Sequence, residues 1–427
     1  MQSVSNAWKA LYTQNVVPRS KLEVKIAATG GTLTFTDADI TEMNIDLFCD
    51  LCSFNLPSAK LIVKFDNSSG AWDADNASGY YPKLNTNQII TVRIGYEISG
   101  STQWISGGTY FLSEWKTSKK DQSATITAVD LIQAYILPTP FKASMLGLPW
   151  NAPVQVGSYA PSTTRYRELD AGNTSMLCDA IGIPVASGNQ RRIRVAIMET
   201  EELWDEDEQE YVTYNYYPRL MVGHNNPSQS EINNYNCAEV LQYLTNSAPS
   251  AASPYDQLFM MYLTRDGFLD IKPREKTLQS YDINAFNTYQ FDINAERNIK
   301  DVNYEYTAYG AYSDPHVVSS TLTFDTDGRT ITNTNPSCEQ LNYLMVYEDY
   351  GHDVIPINNI ANLVGKILVN HLIVTGEFRA DPRLDVGDKV TFSASGTSYD
   401  MYVTELKYKY NGVWKANFTG RIIENGV

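Results

Sequence analysis

The chain has 427 residues and a formal net charge of −16, with 43% hydrophobic and 19% charged residues. This composition excludes a disordered chain, and the length suggests about two to four domains at roughly 150 residues each. The acidic balance argues against a surface built to hold the phosphates of nucleic acids.

The first third of the chain predicts one short helix followed by many strands. Residues 3–13 place Trp8 and Leu11 on one helical face. Apolar and polar residues then alternate in a series of short segments, namely LEVKI, GTLTFTD, SAKLIVKF, IITVRIGYEI, TYFLSEW and SATITAV. Gly, Asn and Ser turns separate these segments, so residues 20–130 predict a β-barrel or a β-sandwich.

One stretch of this region, LIVKFDNSSGAWDADNASGYYPKL (residues 61–84), allows two interpretations. It is either a carboxylate-rich metal or sugar site, or a surface loop that joins two strands. A calcium loop needs further acidic ligands and a closing Glu, which this stretch lacks. The loop is therefore favoured, with its Asn, Asp and Ser side chains capping turns and with Trp72, Tyr80 and Tyr81 covering the barrel end or a neighbouring molecule.

The middle of the chain is mixed in character. Residues 136–170 are rich in Pro and poorly periodic, which indicates a domain boundary or a long crossover. NTSMLCDAIGI predicts a helix, and two strands are expected around the acidic tip WDEDEQE. NCAEVLQYL predicts a second helix, where Asn236 and Glu239 have the spacing of a capping box. A hairpin is expected to turn at Asp266 and Gly267.

The last third returns to a β pattern from about residue 296. STLTFDTDGRTITN predicts a hairpin with Asp327 and Gly328 in its turn. Residues 356–371 predict the clearest helix of the chain, with its cap at residue 358 or 359. RLDVGDKVTF, YDMYVTELKYKY and GVWKANFTGRII then predict three strands, the last two joined at Asn411 and Gly412.

The candidate metal ligands do not form a recognised site. Cys49 and Cys52 form a Cys-x-x-Cys pair, but zinc needs a second pair, and on a strand these two thiols point to opposite faces. The four histidines (His224, His316, His352 and His371) form no ligand pair. DTDG at residues 325–328 begins like a calcium loop but lacks the remaining ligands. We therefore predict no catalytic residues, no bound metal and no cofactor.

Carboxylate catalysis remains an alternative, because a glycoside hydrolase needs only two acids whose separation is set by the fold. The run WDEDEQE (residues 204–210) packs five acids closely. A solvated hairpin tip is the favoured interpretation, since catalytic acids generally require burial to shift a pKa. Most of the sequence thus points to a structural or binding protein.

Cysteines, targeting signals and apolar segments give a consistent expectation for the cellular environment. The five cysteines are few and odd in number, which argues against a disulfide scaffold. The first residues, MQSVSNAWKALYTQ, lack the basic and apolar regions of a secretory signal. No apolar run approaches the ~20 residues of a transmembrane helix. We expect a soluble protein that folds in a reducing cytosol without stable membrane insertion.

The order of these segments resembles the tail-hub, or baseplate hub, proteins of long-tailed phages. In that family a strand ends in an Asp-Asn loop, a Tyr-Tyr-Pro turn follows, and two strands carry Gly-Tyr and Gly-x-Phe patterns. The matching residues are Asp66-Asn67, Tyr80-Tyr81-Pro82, Gly95-Tyr96 and Gly108-Thr109-Tyr110-Phe111. The last strands, from RLDVGDKVTF to GRII, are similar to the closing barrel of the family, and the resemblance runs along nearly the whole chain.

The resemblance implies a mainly β fold with a few helices, in which two tail-tube-like β-barrels flank a mixed middle region. The implied domains are 1–135 (N-terminal helix and first barrel), 136–299 (crossover and mixed α+β middle), and 300–427 (second barrel with helix 358–371). Larger relatives carry a C-terminal hydrolase or receptor-binding module. This sequence reaches Val427 just after its last predicted strand, so a built-in lytic module is not expected.

The resemblance also implies a function and a set of partners. Hubs of this family are typically trimers whose barrels form a pseudo-sixfold ring between the tail tube and the tip. The expected partners are two further copies, a tail-tube or distal tail protein, the tape measure and tail-tip proteins. DNA would pass through the lumen without specific binding, along a lining made negative by the acidic chain. The expected location is the virion tail tip, assembled in the host cytoplasm.

Two other functions remain open. A distal tail protein would form a hexameric ring, and the middle domain could then bind host glycans through its tyrosines and the WDEDEQE loop. A cell-wall glycoside hydrolase is the alternative from a different class. The number of chains in the assembly distinguishes a hub from a distal tail ring, and turnover of peptidoglycan tests the hydrolase.

Overall fold

The structure is a computed structural model that describes most of the N-terminal third and selected segments of the remainder. The described residues are 4–11, 19–50, 55–146, 165–168, 171–195, 199–205, 210–216, 219–222, 235–245, 259–273, 288–293, 299–306, 314–318, 321–326, 329–332, 372–378, 380–394 and 397–422.

The secondary structure of these residues is mainly β, which confirms the predicted fold class. The strands are β1 Ser20–Ala28, β2 Gly31–Thr36, β3 Ile40–Phe48, β4 Ser58–Asp66, β5 Ile89–Ile98, β6 Ser101–Ser118, β7 Ser123–Val129, β8 Arg165–Glu168, β9 Ile193–Val195, β10 Glu199–Asp205, β11 Glu210–Tyr216, β12 Arg219–Val222, β13 Phe259–Leu263, β14 Leu269–Pro273, β15 Thr288–Ile293, β16 Ile299–Tyr306, β17 Asp314–Val318, β18 Thr321–Thr326, β19 Arg329–Thr332, β20 Leu372–Phe378, β21 Lys389–Ala394, β22 Thr397–Tyr410 and β23 Trp414–Ile422.

Helices are short in the described part of the chain. The α-helices are α1 Asn6–Ala10, α2 Ala171–Ile181 and α3 Cys237–Thr245. Single turns of other helix types occur at Tyr81–Lys83, Ile132–Ile136, Ala143–Leu146 and Ser187–Asn189. None of these described helices has the length and apolar character needed to span a membrane.

The N-terminal strands fold into two layers that share the long strand β6. The first half of β6 pairs with β5, which continues to β1 and β2, whereas the second half pairs with β7, which continues to β4 and β3. A register shift between Leu112 and Glu114 marks the change from one layer to the other. Alternation decides which face of each strand is buried, as in β1, where Leu22, Val24 and Ile26 point into the core.

Strands from the two ends of the chain join in one sheet. β22 pairs with β3 in antiparallel register from Glu405↔Phe48 to Tyr410↔Met43. Through this pair, one path of hydrogen-bonded strands runs β16-β20-β23-β22-β3-β4-β7-β6-β5-β1-β2. The resemblance implies two barrels, whereas the described strands form a continuous sheet, and no pairing among them closes either end into a barrel. The domain boundaries at 135 and 300 stay predictions.

The middle of the chain contributes smaller elements, several of which were predicted. The capping box of α3 is present, because the Asn236 N–H donates to Glu239 Oε2 at 2.7 Å and the Glu239 N–H donates to Asn236 Oδ1 at 2.9 Å. β13 and β14 form the predicted hairpin, with Gly267 at a φ of 78° in its turn. β10 and β11 pair as predicted around the acidic tip, whose residues 206–209 lie outside the described part.

The C-terminal predictions are confirmed in part. β22 and β23 are joined at the predicted turn, where Gly412 has a φ of 97°. The strands of the STLTFDTDGRTITN hairpin pair as β18 and β19, although Asp327 and Gly328 themselves lie outside the described residues. The predicted helix 356–371 also lies outside them.

Candidate functional site: an exposed sheet face and a buried polar joint

One face of the main sheet carries exposed and half-buried side chains across six neighbouring strands. We call this the outer face; it consists of the outward side chains of β23, β22, β3, β4, β7 and the second half of β6. At ~4.8 Å per strand it is roughly 24 Å wide. Its charged side chains are Glu42, Asp46, Lys60, Lys64, Asp66, Glu114, Lys116, Glu405, Lys407, Lys409 and Lys415.

Acids and lysines are interspersed on the outer face. Asp46 lies directly between Lys407 and Lys60 in the strand register. Lys407 Nζ is 2.7 Å from Glu405, and Lys409 Nζ is 3.5 Å from Glu42. Partial burial raises the pKa of the Asp46 carboxyl, and the nearby Lys407 opposes that shift. The face is therefore charge-balanced, in contrast with the acidic chain as a whole.

Several strands of the sheet that carries the outer face are paired on one side only among the described pairings. Residues 113–118 of β6 pair with β7 on one side only, because β5 ends its pairing at Phe111. At one end of the path β16 pairs only with β20, at the other end β2 pairs only with β1, and off the path β15 pairs only with β21. Open edges expose unpaired backbone donors and acceptors, which another strand can satisfy.

A buried polar joint lies where the tip of the β13–β14 hairpin meets both ends of the chain. We define the joint as Arg265 with its partners in β6 and in residues 380–388. The Arg265 Nη1–H donates to Ser106 O at 3.3 Å and to Pro382 O at 2.8 Å, and its Nη2–H donates to Leu384 O. The Nε–H donates to Asp385 Oδ2 at 3.1 Å.

Burying the charged guanidinium of Arg265 is energetically costly, and its hydrogen-bond acceptors offset that cost. The side chains of Arg265 and Asp385 are 8% and 13% exposed. Burial alone would lower the pKa of the guanidinium, but the Asp385 carboxylate and neighbouring groups raise it overall, so the group is held charged. A buried charge with this many acceptors is stable in place, whereas removing its partners would be costly.

Other polar groups fix the C-terminal side of the joint. The Tyr408 hydroxyl donates to Asp381 O at 2.9 Å and to Leu384 O at 2.8 Å. Arg383 and Asp381 form a buried ion pair in the same segment. Because burial raises the pKa of Tyr408, its hydroxyl remains protonated and able to donate.

Asp130 is a buried carboxyl beside the joint. It accepts from the Ala59 N–H at 2.8 Å and from the Ile132 N–H at 2.7 Å, so it connects β4 to the turn after β7. Burial raises the pKa of Asp130 to about 6, against the lowering effect of these backbone donors. Asp130, Arg265 and Asp385 line a cavity of about 20 Å³, room for about one water molecule.

The stretch 61–84 is a structural loop closed by aromatic packing. The Trp72 ring centroid lies 5.0 Å from that of Phe35, 4.7 Å from Phe65 and 5.1 Å from Tyr80. Asn67 caps the loop, because its Oδ1 accepts the Trp72 N–H at 2.9 Å. The predicted turn-capping role of the polar side chains is thus observed, and Trp72 covers the end of the N-terminal core.

The metal and thiol candidates remain apart in the described structure. Across the described ranges, no group of three or more His, Cys, Asp or Glu side chains is placed to hold a metal ion. Cys49 is buried, and Cys52 lies outside the described residues. Of the four histidines, His316 lies in β17 and the other three fall outside the described part.

Sequence reasoning missed the joint. Arg265 is separated from its partners by 117 to 159 residues. The available signal was an arginine placed just before the Asp266-Gly267 turn, a position that by itself is typical of a solvated hairpin tip. Nothing local in the sequence pairs it with the RLDVGD segment.

Comparison with known proteins gives matches in structure alone. No protein-family model matches the sequence, and no curated protein matches it. Among solved structures, a tail protein from Neisseria meningitidis MC58 is similar over 94% of this chain and 96% of that chain, with 9% identity and a TM-score of 0.47. The 43 kDa tail protein of prophage MuSo2 from Shewanella oneidensis is similar over 93% and 96%, with 13% identity and a TM-score of 0.46.

A third similar structure is a prophage tail protein from Listeria monocytogenes EGD-e. It matches over 93% of this chain and 94% of that chain, with 12% identity and a TM-score of 0.40. All three of these solved structures are tail proteins by their descriptions.

Proposed function

We propose that the chain is a structural, non-enzymatic component of a phage tail tip or baseplate, in which copies join into a ring around a passage for DNA. The observation that carries this proposal is the single sheet built from both ends of the chain, with one unpaired edge at residues 113–118 of β6, where the outer face ends, and another at β16, two strands beyond β23. A sheet with this organisation can add copies of itself side by side.

We assign ring closure to two of these unpaired edges. Residues 113–118 of β6 and the free side of β16 are different surfaces, so a contact between them is heterologous. Heterologous contacts give a closed ring when the rotation between copies matches, and closure removes the exposed edges that would otherwise promote aggregation. The resemblance to tail hubs indicates three copies in the ring.

The outer face is the surface we assign to the passage. The opposite side of β4 packs against β2, where the Phe35 ring centroid lies 4.7 Å from that of Phe65, so that side would point away from the axis. On this assignment the lining would be charge-balanced, in contrast with the negative lining expected from the net charge, because lysines lie among the acids of the outer face. DNA phosphates would meet lysines whose attraction is offset by adjacent acids, which permits passage without firm adhesion.

The partners follow from this role. They are two further copies of the chain, the tail-tube or distal tail protein, the tape measure and the tail-tip proteins. Assembly would take place in the host cytoplasm, and the mature location would be the virion tail tip.

Native mass measurement of the purified chain tests the proposal. We expect three copies per particle at micromolar concentration. Six copies would favour a distal tail ring, and a monomer at all concentrations would refute ring formation by the chain alone. Incubation with purified peptidoglycan should give no turnover, whereas turnover abolished by one Asp or Glu replacement would establish a hydrolase.

A further inference from the structure

The β13–β14 hairpin tip touches two parts of the molecule that are far apart in sequence. On the N-terminal side it meets β6, where Arg265 bonds the carbonyl of Ser106. On the C-terminal side it meets residues 380–388, where the same guanidinium bonds Pro382 O and Asp385. One side chain of the middle region therefore bridges the segments that flank both halves of the main sheet.

The hairpin tip packs so closely against β6 that no side chain fits at position 267. A Cβ atom on Gly267 would lie 2.8 Å from Thr109 Cβ of β6 and 2.9 Å from Arg192 Nη1. Arg192 in turn donates to Gly267 O at 3.0 Å and to Pro184 O at 2.9 Å, which ties the tip to its own region. The tip is thus hydrogen-bonded to Arg192 on one side and packs against β6 on the other.

Residues 380–388 supply hydrogen-bond acceptors for Arg265 and are themselves bonded to β22. Leu384 O accepts from both Arg265 and Tyr408, and Tyr408 lies in β22, the strand that pairs with β3. The Gly387 N–H donates to Val403 O of the same strand at 2.6 Å. Residues 380–388 are therefore hydrogen-bonded both to Arg265 and to β22.

We propose that the β13–β14 hairpin is a latch that couples the N-terminal and C-terminal regions, with Arg265 as its positioning residue. Its donors are satisfied only when β6, the hairpin tip and residues 380–388 are all in place, so the three segments open and close together. Withdrawal of the hairpin would release the C-terminal strands from the N-terminal layers and leave the β22–β3 pair as their main connection.

Hydrogen–deuterium exchange on the wild-type chain tests this coupling directly. We expect the amides of residues 264–268, 380–388 and the middle of β6 to open with a common rate and a common dependence on denaturant. Unrelated rates in the three segments would overturn the proposal. This measurement is made on the single chain and does not depend on ring formation.

Arg265→Met is the matching variant, and Arg194→Met is its control. Arg194 forms a bidentate pair with Asp270 on the same hairpin, but its side chain is 46% exposed and bonds neither terminal region. We expect Arg265→Met to accelerate exchange in residues 380–388 and in β6 by about tenfold or more, the effect of losing one charge-assisted hydrogen bond. Arg194→Met should leave both segments unchanged.

Two outcomes of the variants would refute the latch. One is an equal acceleration in Arg194→Met, which would indicate general destabilisation, and the other is unchanged exchange in Arg265→Met. If Arg265→Met fails to fold, Arg265→Lys keeps the charge but cannot reach all four acceptors, and it should show the same pattern more weakly. The test of the latch does not depend on ring formation, because hydrogen–deuterium exchange reports the coupling even in a chain that remains monomeric.

Discussion

Replacement of Trp72 tests whether the loop at residues 61–84 closes the N-terminal core. The side chain is 2% exposed and contacts three aromatic rings from β2, β4 and the loop itself. Removing a buried indole to Ala costs about 3–5 kcal/mol, and the loss includes the ring contacts as well as the apolar area. We therefore expect Trp72→Ala to lower the free energy of unfolding by about 3–5 kcal/mol.

Urea denaturation followed by circular dichroism measures this loss without relying on the deleted fluorophore. Trp104→Ala is the control, because Trp104 is only partly buried and its main contact is Arg93, 4.9 Å from the ring centroid. A cation–π contact of that kind is worth about 0.5–1 kcal/mol at an exposed site. Equal losses in the two variants, or a loss below about 1 kcal/mol for Trp72→Ala, would show that the loop does not close the core.

Three further substitutions probe buried or capping groups. The folded-state pKa of Asp130 is about 6, above the ordinary value of 3.8, so its contribution to stability is full below about pH 4 and is lost as the pH rises through 6. The stability of the wild type relative to Asp130→Asn should fall by up to about 3 kcal/mol between pH 4 and 7 in urea titrations; a pH-independent difference would contradict this. Asn236→Ala removes the N-cap of α3 and should lower the free energy of unfolding, measured by thermal unfolding, by about 1 kcal/mol. A loss near zero would show that the capping box does not stabilise the helix. Arg421→Met leaves Asp50 buried without its bidentate partner, whose Nε–H donates to Oδ1 at 3.1 Å and whose Nη2–H donates to Oδ2 at 2.7 Å; we expect a loss of about 1–3 kcal/mol that high salt does not reproduce in the wild type.

The sequence by itself determined much of the local structure of the described chain. Period-two alternation is a property of adjacent residues, and it identified β1 and β5 together with the side that each buries. The turn at Asp266-Gly267 and the capping box at Asn236 depend on residues within a few positions of each other, so they too could be read directly. The mainly β class follows from these local signals.

Only the tertiary structure decided how the strands are shared and where the polar joint lies. β6 serves two layers, and β22 pairs with β3 across most of the chain length, so the two β-rich ends form one sheet. In the sequence Arg265 resembles a solvated residue at a hairpin tip. In the structure a carboxylate and three carbonyls from distant segments surround it. Alternation shows which face of a strand is apolar, but it does not show which other segment covers that face. Strand pairing and burial depend on packing between segments that are far apart in the sequence, and no local pattern identifies those partners.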